Sequence, residues 1–281
     1  LTTPEATEMH ALLARMREAG VEAVAVEVSA QALSRHRVDG IPFDVVGFTN
    51  LTHDHLDDYA DMEEYYRAKL PLFFPEHGRR GVVSLDSEYG VRVMADARIP
   101  VVSITSHPEV VADWRVTVTH EDPFRTAFTL NGPGGVELRS SIPIIGHHMA
   151  ANAGLALVLL LEAGIPLERV RDAVHERAIE AYLPGRTERV SGERGPSVFV
   201  DFGHSPDAFE NTLAAVRRLT TGRTIMVFGA DGDRDATKRH DMARVAAEGC
   251  DILVITDHHP RFEDPASIRA TLLEGAALAQ N

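Results

Sequence analysis

Apolar residues recur at helical spacing and then in short unbroken runs, and the two patterns alternate through the first 105 residues. Met9, Leu12, Leu13 and Met16 share one face of a helix predicted over residues 4–18, with Pro4 suited to its first turn. Residues 21–28 then run apolar and β-branched, as a strand buried on both faces would. Residues 45–49 predict a second such strand, 62–74 a helix, and 82–84 and 101–104 two further strands, so helices are expected to cross over between parallel strands. Between Trp114 and Ile145 the period drops to two. Residues 115–119, 126–130 and 136–139 alternate around the turn sequence Asn131-Gly132-Pro133-Gly134-Gly135, predicting a small antiparallel sheet within the α/β domain. Helices are expected at 152–163 and 167–177. The breaker Leu183-Pro184-Gly185 then opens a second parallel α/β unit, with strands at 198–200, 224–228 and 252–255. The fold class is α/β, with domains placed at residues 1–183 and 184–281.

Composition narrows the function. A length of 281 residues fits two domains, and a formal charge of −14 argues against a nucleic-acid backbone as partner. The longest apolar run, 155–161, is far short of the roughly 20 residues that span a bilayer, so no membrane insertion is expected. One cysteine, Cys250, excludes an internal disulfide framework and fits a reducing, cytoplasmic setting. The chain starts at Leu1 without a secretory pattern, and is expected to be a piece of something longer. Of its 28 basic residues only Lys69 and Lys238 are lysine, which asks why those two are kept.

Ligands of parallel sheets bind beyond the carboxyl ends of strands, and the chemistry gathers there. The first predicted strand ends in Glu27-Val28-Ser29. The second runs into His53-Asp54-His55-Leu56-Asp57, a hard-oxygen and imidazole cluster that suits Mg²⁺ better than zinc. A helix N-cap accounts for its acids but not its histidines. Lys69 falls on the predicted helix 62–74, where an ordinary lysine is a snorkelling surface residue. Strand 198–200 ends in Asp201-Phe202-Gly203-His204, strand 224–228 in Gly229-Ala230-Asp231-Gly232-Asp233-Arg234-Asp235, and strand 252–255 in Thr256-Asp257-His258-His259-Pro260-Arg261. Arg234, Lys238 and Arg239 supply cations beside glycines that admit a ligand closely. No GxxxxGK[ST] and no strand-following GxGxxG occurs.

Taken in order, these motifs resemble the Mur ligase family, and within it the branch that forms UDP-N-acetylmuramoyl tripeptides. Thr2-Thr3-Pro4, Glu27-Val28-Ser29, residues 35–40, Phe48-Thr49-Asn50-Leu51, Asp54-His55-Leu56-Asp57, Lys69, residues 146–152, Pro184-Gly185-Arg186, residues 201–208, residues 229–238 and Pro260-Arg261 carry the resemblance. It implies a parallel-sheet central (ATPase) domain with a small antiparallel sheet, followed by a Rossmann-like C-terminal domain. It also implies an ATP-dependent ligase that phosphorylates a peptide carboxylate and lets an amine displace the phosphate. By that resemblance Lys69, His55 and His204 are catalytic; Glu27, His55 and a carbamylated Lys69 hold Mg²⁺. Asn152, Arg186, Asp201 and Lys238 contact ATP. Thr2, Thr3, Ser29, Arg35, Arg37, Arg234, His259 and Arg261 contact the UDP-N-acetylmuramoyl dipeptide or the incoming diamino acid. That amino acid is expected to be meso-diaminopimelate, with L-lysine or L-ornithine as alternatives, and the enzyme a monomer.

Departures accompany the resemblance. Ser29-Ala30-Gln31 stands where the family reads Ser-Ser-His, and His258-His259-Pro260-Arg261 where its diaminopimelate enzymes read Asp-Asn-Pro-Arg. Two other readings compete: a cyanophycin- or folylpolyglutamate-type amide ligase, and a non-catalytic binding protein of ligase fold. Without a phosphate-cradling loop, these 281 residues by themselves are expected to be inactive.

Overall fold

The computed structural model describes residues 2–192 and 194–280. Helix α1 (Ala6–Glu18) buries Met9 and carries Arg15 and Arg17 in its last turn, where cations suit the helix dipole. Residues 21–28 form no strand. Among the described residues none pairs with them, and Val21 and Val24 stay nearly half exposed. An apolar run becomes a strand only when a neighbour takes up its N–H and C=O groups. Here the buried Thr3 hydroxyl does part of that work, donating to the Glu27 carbonyl at 2.8 Å and accepting from the Ser29 N–H at 3.2 Å. Ser29 then caps the short helix α2 (Ala30–Ser34), its side chain accepting from the Ala32 N–H at 3.1 Å.

Strands β1 (Val46–Phe48), β2 (Gly81–Ser84) and β3 (Val101–Thr105) are parallel. The antiparallel strands β4 (Trp114–Asp122), β5 (Arg125–Gly132) and β6 (Val136–Ile142) continue the same sheet, because β4 pairs with β3 in parallel. With the two-residue β7 (Arg177–Ala178) beside β6, the sheet has seven strands in chain order. The helix predicted over 62–74 is α-helical only as α3 (Met62–Lys69). A 3₁₀ turn (Leu70–Phe73) follows, since Pro71 has no N–H with which to prolong the α-helical ladder. Helix α4 (Glu88–Asp96) follows β2. Helix α5 (His147–Glu162) starts five residues before the predicted boundary, and α6 (Leu167–Val174) ends three short of it. Ala150, Gly154, Leu155, Leu157 and Val158 of α5 pack with Val116, Phe128, Leu130 and Leu138 of the sheet in one core. A second core gathers Phe48, Tyr65, Tyr66, Phe73, Val83 and Val93.

The second unit departs further from expectation. β8 (Glu188–Arg189) and β9 (Phe199–Val200) pair antiparallel with each other, so the predicted strand at 198–200 does not join a parallel sheet. Helix α7 (Pro206–Leu219), β10 (Ile225–Phe228), α8 (Arg239–Gly249), β11 (Ile252–Ile255) and α9 (Pro265–Ala276) complete the chain. β10 and β11 form a two-stranded parallel sheet around a third core of Phe209, Leu213, Phe228, Met242 and Leu272. Ile225 and Val227 point away from that core and stay exposed, so these runs bury one face. No helix among the described residues is long and apolar enough to cross a membrane.

Candidate active site

The loop after β1 and the loop between β10 and α8 meet, and Asp54 is where they join. Lys238, at the N-cap of α8, brings its Nζ to 2.5 Å from Asp54 Oδ1, while His204 Nε2 lies 3.2 Å from Asp54 Oδ2. The backbone N–H of His55 donates to Oδ1 at 2.9 Å. Burial alone would raise the Asp54 pKa. The hydrogen bonds from His204 and Lys238 outweigh it and hold the carboxylate well below its usual range. His204 Nδ1 lies 3.0 Å from the Phe202 carbonyl, so both ring nitrogens face acceptors and the imidazolium satisfies both. Its hydrogen bond to Asp54 accordingly raises its pKa, against the opposing effect of burial. Two flanking contacts run alongside: His53 Nε2 is 3.2 Å from Thr237 Oγ1, and Arg234 is 3.6 Å from Asp57. Asp235, buried beside them, leaves its Oδ2 without a hydrogen-bond partner, 3.6 Å from His53.

His55 sits in the left-handed region (φ 58°), a conformation uncommon outside glycine. Its ring nitrogen and carboxylate oxygens of Asp57 and Asp58 all lie within 4.8 Å of one another. The His55 ring meets Tyr65 edge-on at 5.7 Å, and Tyr65 stacks on Tyr59 at 5.1 Å, forming an aromatic wall. Lys69 Nζ lies 5.1 Å from the same Tyr65 ring. Burial draws the Lys69 pKa down, and the carboxylates of Glu27 and Asp54 act against it. Glu27, His55, Asp54 and Lys69 thus belong to one electrostatic neighbourhood, although Glu27 is itself exposed.

A Mur ligase middle domain matches residues 1–160, more than half of the chain, and a Mur ligase, glutamate ligase domain matches residues 185–280. The chain belongs to the Mur ligase family. A UDP-N-acetylmuramyl-tripeptide synthetase of Leifsonia xyli is 63% identical over 277 residues, covering 98% of this chain and 54% of that protein. The 2,6-diaminopimelate ligase of Streptomyces coelicolor is 43% identical over 276 residues, with the same coverage. A solved UDP-N-acetylmuramoyl-L-alanyl-D-glutamate–2,6-diaminopimelate ligase aligns with TM-score 0.66 at 26% identity, covering 98% of this chain and 56% of that one. Mycobacterium tuberculosis folylpolyglutamate synthase complexed with ADP shares the fold at TM-score 0.70 and 20% identity, covering 95% and 59%. The chain spans about half the length of the curated relatives it matches.

In this Mur ligase chain the residues expected at the muramoyl-peptide end are partly engaged with one another. Arg35 binds Asp58 at 3.1 Å, whereas Arg37 is buried between Glu5 at 2.7 Å and the Thr3 carbonyl at 3.4 Å. Thr2 is exposed, and Thr3 and Ser29 hold the loop before α2. Of the residues expected to contact ATP, Asn152 projects exposed from α5, and Arg186 lies over the Phe202 ring at 5.2 Å. Arg186, Tyr182, Phe124 and Ile144 help line a cavity of about 290 Å³ between the two units. The Asp201 carboxylate accepts from Thr187 N–H and hydroxyl at 2.7 and 3.0 Å and from Gly203 N–H at 2.6 Å, so it shapes the 183–187 turn. Arg234 faces Asp57, while His259 and Arg261 stand exposed after β11. Asp54 was not among the expected site residues, although the acid- and histidine-rich run 53–57 held the signal. Periodicity could not say which of its acids turns toward the second unit. Asp58, Asp235 and Thr237 left no distinguishing mark in the sequence.

Proposed function

We propose that this chain forms the middle and C-terminal domains of an ATP-dependent ligase. The enzyme adds a diamino acid to UDP-N-acetylmuramoyl-L-alanyl-D-glutamate in peptidoglycan synthesis, as a cytoplasmic monomer. The carrying observation is the Asp54 carboxylate shared by Lys238 and His204, which sets a lysine and a histidine of the second unit beside His55 and Lys69 of the first. A carboxylate oxygen of the dipeptide attacks the γ-phosphorus and ADP leaves; the amine of the diamino acid then attacks the acyl carbon, expels phosphate and gives up a proton. Lys238 and His204 hold positive charge where phosphate charge would develop. Glu27, His55 and a carbamylated Lys69 offer hard oxygen and imidazole donors suited to Mg²⁺, whose charge when bound offsets that of the phosphates. Burial of Lys69 supports carbamylation: a lowered pKa favours the neutral amine, which bonds to CO₂ and releases a proton. Asn152, Arg186 and Asp201 serve the nucleotide, the last by shaping the turn that carries Arg186.

For the added amino acid we favour meso-diaminopimelate. Arg261 and Arg234 carry guanidinium forks suited to its extra carboxylate, and the S. coelicolor relative is named for that substrate. Competition among meso-diaminopimelate, L-lysine and L-ornithine in the complete ligase tests this. The highest kcat/KM is expected for meso-diaminopimelate, with its KM raised in Arg261→Ala; preference for lysine or ornithine would reverse the assignment. Identities of 63% and 43% to muramoyl-peptide ligases, against 20% to a folylpolyglutamate synthase, support a muramoyl substrate over a folate.

A further inference from the structure

Beyond β10 and β11 a second group of donors converges, with Asp231 on the same β10–α8 loop that carries Lys238 but different in chemistry. Asp231 Oδ1 lies 2.9 Å from His258 Nδ1 and 3.5 Å from His259 Nδ1, and the two imidazole centroids are 4.2 Å apart. All three donor atoms fall within 4.8 Å of one another. A hydrogen bond explains only the nearer histidine. The farther ring is turned to the same oxygen without one.

We propose that Asp231, His258 and His259 form a binding site for a borderline divalent transition ion of the Zn²⁺, Co²⁺ or Ni²⁺ type. Two metal–ligand bonds of about 2.0–2.1 Å at a tetrahedral angle put their donor atoms about 3.3 Å apart. The observed 2.9 and 3.5 Å straddle that edge, so small side-chain rotations complete it. Two imidazoles with one carboxylate select such ions over Mg²⁺, which prefers the oxygen-rich His55, Asp57 and Asp58 group. The carriers are also fixed to each other. Gly232 donates its N–H to the His259 carbonyl at 2.8 Å, and a Cβ at Gly232 would sit 1.8 Å from the Pro260 carbonyl, so the two loops touch backbone to backbone. Buried Arg239 anchors the Asp231 carbonyl at 2.8 Å while gripping Glu263 with both terminal nitrogens. The site rests on these side chains of the chain itself and does not depend on the ligase reading.

Zinc binding to the protein at neutral pH, measured by calorimetry in excess Mg²⁺ and by the visible spectrum of the Co²⁺ form, tests the proposal. One tight equivalent is expected, weakened at least about tenfold by His258→Asn, by His259→Asn and by Asp231→Asn. His36→Asn, which removes the exposed His36–Asp39 pair elsewhere, should leave it intact. Zinc should also raise the melting temperature of the native protein but not of the His258→Asn/His259→Asn double variant, which itself should melt normally because both rings are exposed. Absence of a tight equivalent, or its persistence in the double variant, would overturn the site.

Discussion

Asp54 holds three donors on two carboxylate oxygens, and its energetic weight lies in what they would lose without it. Removing one partner of a buried pair leaves a desolvated charge, so Asp54→Ala should destabilise the folded protein by about 3 kcal/mol in urea unfolding. The pH dependence has a definite sign. His204 is held above its ordinary value, so the stability it draws from Asp54 is complete below about pH 6.5 and fades as pH rises through the raised value. Asp54 is held below its ordinary range, so its share is present above about pH 4 and fades only in stronger acid. The stability gap between the native protein and Asp54→Asn should therefore narrow from neutral to alkaline pH. A gap that stayed constant would separate His204 from this interaction. At Lys69 the proposed chemistry needs an amine, and guanidinium cannot form a carbamate. Lys69→Arg should abolish phosphate release in the complete ligase while leaving its melting temperature within a few degrees; retained turnover would make Lys69 an ordinary half-buried lysine.

Helix α5 shows how a favourable local choice loses to packing. Alanine is a better helix former than glycine by about 1 kcal/mol, yet a Cβ at Gly154 would lie 2.2 Å from Val116 Cγ2 on β4. Overpacking costs about 1–3 kcal/mol, so Gly154→Ala should lower stability on balance, read as a fall in the urea midpoint. The elements most legible in the sequence were those whose pattern meets its partner locally. α1, β2, β3 and the alternating β4–β6 fall close to expectation because hydrophobic period and turn chemistry suffice to set them. Residues 21–28 form no strand, and the strand at 198–200 pairs antiparallel, because an apolar β-branched run specifies strand preference but not the neighbour that completes its ladder.

Among the described residues the two units meet through polar contacts, Lys238 and His204 on Asp54, His53 on Thr237, Arg234 near Asp57, and Arg218 on Glu121 at 2.9 Å, beside the stacking of Arg189 on the Phe124 ring at 4.3 Å. Glu121 also accepts from the Gly146 N–H at the start of α5 at 2.7 Å, so that ion pair ties the second unit to the start of this helix. Domain interfaces of this kind open readily. Combining Lys238→Ala with Arg218→Ala should increase the radius of gyration in small-angle scattering and split thermal unfolding into two transitions. A single cooperative transition at unchanged radius would show that these two ion pairs do not hold the units together.

Periodicity, turn residues and the order of short motifs determined the α/β class, the alternation of the first unit and the residue types on which the site is built, since these follow from local backbone and hydrophobic preferences. Lys238 stands 184 positions after Asp54, and no local preference reaches that far. Which carboxylate becomes the shared acceptor, which arginine turns inward, as Arg37 does, and which two histidines face one aspartate were decided by the way the folded loops close on one another. Those choices depend on competition for partners in a desolvated junction, where geometry selects among chemically equivalent side chains.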